Sequence, residues 1–207
     1  MDPVSELLAV VDETVLEEAG AVRYVLAAVV VTRDAATRAV LAGVVNEPGR
    51  ARPFHWHREG PLTRQRMVKA LIETGAVAHA VIDHPTKPRQ QGAARARTLA
   101  KLLGLVRRDE PSELLIESRG PVQDRQDRVV ILDWLAESGP GWVPTYGWCD
   151  KAEAYSWFAD AVCGAIRLLL DRTHPEYFQA LFEGRVLGEP LYLSHQGLHV
   201  RKSRLPS

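Results

Sequence analysis

The 207 residues are 46% hydrophobic and 25% charged, enough for one large domain with a real core or for a domain with a tail. Acidic and basic residues balance at 26 each, so net charge announces no polyanion partner, and no apolar run approaches the roughly 20 residues that span a bilayer. Cys149 and Cys163 are the only cysteines, which excludes a disulfide framework or zinc ribbon and fits a reducing, cytoplasmic setting.

The start, MDPVSELLAVVDE, has no basic segment before its apolar stretch, which argues against a secretory signal. Leu7, Leu8, Val10, Val11, Val15, Leu16 and Ala19 have helical spacing, yet Leu8 to Val11 is also a compact apolar strand ended by Asp12-Glu13. The strand reading gains from VRYVLAAVVVT at 22–32, which is rich in β-branched residues and strongly strand-like. After Arg33-Asp34, the run 38–45 is expected to pair with it as a third strand. NEPGRARP at 46–53 breaks the chain. A helix is expected from Pro61 to about Glu73, a strand over 77–82, a helix over 90–106, a strand from Glu113 to Glu117 and a helix over 124–137. The Gly/Pro-rich stretch 139–147 reads as a loop, and 153–171 as a long helix. The fold class is therefore α/β: a mixed sheet with an N-terminal three-stranded antiparallel meander and helices on both faces. One domain is expected over 1–183, with a C-terminal extension at 184–207 whose basic end, RKSRLPS, is expected to be mobile.

Asp12 and Glu117 each end an apolar strand, and Asp160 lies in WFADAVCGAI, a helix otherwise apolar and small. An acid so close to a packed face needs solvent, a partner or a metal. If the fold gathers the three, an all-carboxylate pocket results, which suits a hard divalent cation. Taken singly, Asp12 is equally a turn or cap residue, Glu117 an ion-pair partner of Arg119, and Asp160 a helix-surface acid. Asp124 and Asp127, three apart on one helical face, follow Glu117 closely.

The stretches VVDET at 10–14, Glu-Ser-Arg at 117–119 with its following Asp, and FADAVCGA at 158–165 resemble the RNase H-like superfamily. More closely, they resemble a large uncharacterised bacterial family within it, whose members open with a strand ending Asp-Glu-Ser-Gly and carry a late Ala-Asp helix. The resemblance covers about residues 8–170; Thr14-Val15 stands where that family has Ser-Gly. It implies a nuclease that hydrolyses nucleic-acid phosphodiester bonds with Mg²⁺ or Mn²⁺, held by Asp12, Glu117 and Asp160, with Asp127 as a further ligand. Glu13, His57, Arg119 and Asp124 are accessory candidates. The alternative is an RNase H-like scaffold without catalysis that acts as a protein-interaction module.

The stretch 87–108 carries seven basic residues and no acid; a solvated helix face is its plainer reading, but it is the best candidate for contact with a nucleic-acid backbone, through Arg89, Arg95, Arg97 and Lys101. No aromatic residue interrupts it, so base stacking there is not expected. A protein partner or a homo-oligomer stays open. His55-Trp56-His57, extended, would present two imidazoles on one side, with His79 and His84 to complete a zinc site; exposed polar residues around a buried Trp are the plainer reading. Ser156 and Cys163 have no neighbouring base and no nucleophile role is expected of them.

Overall fold

A computed structural model describes residues 6–18, 20–45, 52–84, 86–139 and 141–193. The chain runs β1 (Leu7–Glu18), β2 (Ala21–Thr32), α1 (Ala35–Val45), α2 (Pro61–Glu73), β3 (Val77–Ile82), α3 (Gln91–Val106), β4 (Glu113–Glu117), α4 (Pro121–Ser138), β5 (Thr145–Cys149), α5 (Ser156–Leu170), α6 (Glu176–Glu183) and β6 (Leu191–Tyr192). The six strands form one sheet in the order β5-β4-β1-β2-β3-β6. β1, β2 and β3 are antiparallel, whereas β4 runs parallel to β1 and β5 parallel to β4. With helices on both faces, this is the mixed-sheet α/β plan that the sequence led us to expect.

The third antiparallel strand is not the one expected, however. Residues 35–45 form α1, because the Asp34 carboxylate accepts the Thr37 N–H at 2.7 Å and so caps a run rich in alanine. Its place beside β2 is taken by β3, delivered after α1 and α2. A second correction concerns 139–147: Thr145–Cys149 is an edge strand, whose Tyr146 and Trp148 suit a pleated surface although the preceding residues read as loop.

Two cores fill the faces. Leu8, Val10, Leu16, Val25, Ala27 and Val29 pack under α1, α2, α5 and α6. Ala9, Val11, Leu26 and Ala28 pack under α3 and α4. The period-two alternation of β1 thus divides its side chains between the two layers. Val186 and Leu187 are buried in the first core, and β6 pairs with β3, so residues 184–193 pack against the sheet. The basic terminus RKSRLPS at 201–207 lies outside the described residues. Among the described residues, no helix is long and apolar enough to cross a membrane.

Candidate active site

β1 pairs with β4 only from Leu8 to Val11, where β4 runs from Glu113 to Ile116. Beyond that point β1 continues to Glu18 with β2 alone. Asp12 is therefore a mid-strand residue rather than the strand end expected, and it stands where β4 gives out and Glu117 finishes that strand. Asp12 shares the face of Leu8 and Val10, and Glu117 that of Leu115, so both point toward α5. α5 lies close against β1 there, with the Cys163 thiol donating to the Asp12 carbonyl at 3.2 Å. Asp160 is one turn earlier on the same helix.

The three acids line one cavity of about 150 Å³, together with Glu13, Thr14, His55, His57, Arg95, Arg119, Lys151, Cys163 and Gly164. Asp12 and Asp160 are buried, at 6% and 7% exposure. Burial first, then the charges of Glu117 and Asp160, raise the Asp12 carboxyl well above the usual carboxylate range, and a hydrogen bond with Glu117 adds to the effect. Asp160 is held from another side: its Oδ2 accepts the Trp56 backbone N–H at 2.7 Å and lies 3.6 Å from His55 Nδ1.

Trp56 is the anchor of this corner. Its indole is fully buried, meets Tyr177 edge-on at 5.2 Å between ring centroids, and has the Arg64 guanidinium over its ring at 5.2 Å. A short 3₁₀ turn at Trp56–Arg58, not an extended segment, places His55 and His57 at the cavity with rings 5.9 Å apart. Burial, followed by the charge of Arg167, lowers the His57 pKa, so this imidazole favours its neutral form. His79 pairs with Asp109 at 2.5 Å and His84 with Asp83 at 2.9 Å. Neither lines the cavity, so the four histidines are not gathered into a zinc site.

The opposite face of β1 carries a second charged network. Arg95 is buried at 3% exposure and clamps Asp127 with two bonds, Nε–Oδ1 at 2.7 Å and Nη2–Oδ2 at 2.6 Å, while also reaching Glu13. Two expectations are corrected here. Asp127 has both oxygens committed to Arg95 and does not line the cavity, so it is not placed as a fourth ligand. Arg95 is buried with Ala94, Thr98 and Leu99 on the inner face of α3 and is committed to Asp127 and Glu13, so it is not part of an exposed basic surface on that helix. Arg97, Arg89 and Lys101 are all exposed, and Arg97 bonds Asp83 at 2.6 Å. Arg119 pairs with Glu13 at 3.4 Å rather than with Glu117. Asp124 holds the turn after Glu117, accepting from the Ser118 hydroxyl at 2.6 Å and the Arg119 N–H at 3.1 Å. Burial pushes the Cys149 thiol up to about 12 and the Cys163 thiol well above its usual value.

Lys151 was not anticipated. Its ammonium sits 2.9 Å from Glu117 Oε1 and 3.0 Å from Oε2, in the turn that follows β5. Had TYGWC been read as a strand beside β4, the parallel pairing would have put Lys151 at the same sheet end as Glu117. The donor set suits a hard cation, since three carboxylates converge and their mutual repulsion is relieved by positive charge. At present that charge is partly supplied by Lys151, and among the described residues no three His, Cys, Asp or Glu side chains stand ready around a cation position.

Neither the protein-family models nor the curated proteins give a match to the chain. Among solved structures, a crystal structure of a mutant Bst-RNase HIII is similar, with a TM-score of 0.46 and 18% identity, over 86% of this chain and 56% of that one. The chain thus spans little more than half the length of that protein.

Proposed function

We propose that the protein is a divalent-metal-dependent nuclease that hydrolyses nucleic-acid phosphodiester bonds. The observation that carries this reading is the convergence of Asp12, Glu117 and Asp160, from two strands and a helix, on one cavity. Those three side chains would hold Mg²⁺ or Mn²⁺, and a bound ion supplies a polarised water and charge stabilisation at a phosphate. The chain's own residues do the rest. Burial, and then the charges of Glu117 and Asp160, favour the protonated form of Asp12 while no cation is present. The Trp56 N–H fixes one oxygen of Asp160, leaving the other for a ligand. Neutral His57 stands at the cavity as a proton acceptor. Arg89 and Lys101 are among the exposed cations of the 87–108 stretch and suit a phosphate backbone. The kinship with the bacterial family that shares the Asp-Glu strand and the Ala-Asp helix belongs to the same proposal, as does a cytoplasmic location.

The test is a nuclease assay on single- and double-stranded DNA and RNA in Mg²⁺ and in Mn²⁺, with wild type beside Asp12→Asn. Cleavage by wild type that the variant lacks is the expected result. Cleavage that survives in Asp12→Asn sinks the assignment.

One observation favours a second reading, an RNase H-like scaffold without catalysis. Lys151 already gives the acids an internal counter-charge. A scaffold of that kind shows no calorimetric Mg²⁺ or Mn²⁺ binding that depends on Glu117.

A further inference from the structure

A hard cation and Lys151 compete for the same oxygens. The ammonium meets both oxygens of Glu117, at 2.9 and 3.0 Å, and Asp12 and Asp160 also bear on it electrostatically. A divalent ion held by Glu117 would meet the Lys151 ammonium at the same carboxylate, where two positive centres would repel strongly. One of them must leave.

The surroundings of Lys151 give it a way out. Its backbone is anchored, because its carbonyl accepts the Trp157 indole N–H at 2.9 Å. Next to it, the Ala152 N–H is bonded to the Asp150 carboxylate at 2.8 Å, which stiffens the turn. The side chain, in contrast, is 36% exposed and has a flexible four-carbon stem, so the ammonium reaches water without any movement of the turn. Arg95 and Arg119, the other cations lining the cavity, are tied to Glu13 and do not contact Glu117.

We propose that Lys151 is a displaceable internal counter-ion: it balances Glu117, Asp12 and Asp160 while no divalent ion is bound, and it leaves Glu117 when one enters. This inference rests on the metal-dependent reading above. It makes Lys151 a positioning residue that sets cation affinity, with no part in bond breaking.

The experiment is a calorimetric titration of Mn²⁺ into wild type, Lys151→Met and Glu117→Gln at one pH and ionic strength. Lys151→Met, which keeps the stem and loses the charge, is expected to bind roughly tenfold more tightly, since a competitor has been removed. Its metal-free form is expected to melt below wild type in EDTA, because three acids are left without their cation. Equal or weaker Mn²⁺ binding by folded Lys151→Met overturns the proposal. Should that variant fail to fold, the side-chain ammonium signal of Lys151 in ¹⁵N-lysine-labelled wild type, assigned with Lys151→Arg, decides. It is expected to move and to exchange faster with water on saturation with Mg²⁺; an unchanged signal overturns the proposal. Wild type that takes up no Mn²⁺ at all removes the metal-dependent reading and this inference with it. Wild-type binding with unaltered affinity in Lys151→Met removes the counter-ion role alone.

Discussion

The Trp56 indole occupies the space that a side chain on Gly164 would fill: a Cβ there would stand 2.1 Å from the indole Cδ1. Gly164 lies one turn beyond Asp160 on α5, and Asp160 receives the Trp56 N–H. A glycine, an indole and a backbone amide thus fix where one acid of the cavity points.

Gly164→Ala is therefore expected to push Trp56 off α5. Overpacking of this kind costs about 1–3 kcal/mol. Urea unfolding monitored by tryptophan fluorescence checks it, and a wild-type midpoint with an unshifted native spectrum would show that the contact does not constrain the site.

Asp12→Asn is expected to stabilise the metal-free protein at neutral pH. The carboxyl is raised above its ordinary value of 3.8 by burial, Glu117 and Asp160. The folded chain consequently keeps a proton that the unfolded chain has already released, so stability falls as pH rises from about 3.8 toward the folded-state pKa. Above that window wild type carries the whole penalty, and within it the slope approaches about 1.4 kcal/mol per pH unit. Asparagine keeps the hydrogen bond to Glu117 and removes the charge. Thermal melts in EDTA should show the variant above wild type at pH 7, with the gap closing toward pH 4.

Asp127→Ala is expected to destabilise the fold by about 3–5 kcal/mol, because it strands the buried Arg95 guanidinium. Asp127→Asn, which retains polar contact, should leave Mn²⁺ affinity at the wild-type value in calorimetry. A marked loss of affinity in that folded variant would return Asp127 to the ligand set.

Lys101→Ala and Arg89→Ala are each expected to weaken duplex binding evenly across sequences and to reduce the salt slope by about 0.9 if each neutralises one phosphate. Fluorescence anisotropy against salt concentration measures this. A double variant with wild-type affinity and slope would move the contact surface away from α3.

Several elements could be read locally. α2 spans Pro61–Glu73, β3 Val77–Ile82 and β4 Glu113–Glu117, as their patterns indicate, since a proline at a helix start or a β-branched run acts through its immediate neighbours. Asp12, Glu117 and Asp160 stood out too, because an acid beside an apolar run or inside a small-residue helix is conspicuous in one dimension, and the structure brings the three to one cavity. Arg95 was not legible: among seven basic residues and no acid, nothing nearby in sequence reveals that Asp127, 32 positions away, turns it inward.

By its own patterning, then, the sequence determined an α/β chain with three conspicuous acids and most of the helices that surround them. Tertiary structure alone decided that β1 outruns β4 at Asp12, that β3 replaces residues 38–45 beside β2, and that Lys151 faces Glu117. The reason is physical. Periodicity and capping are set within a few residues, whereas strand pairing and the balance of buried charge depend on groups that meet only when distant segments share a sheet.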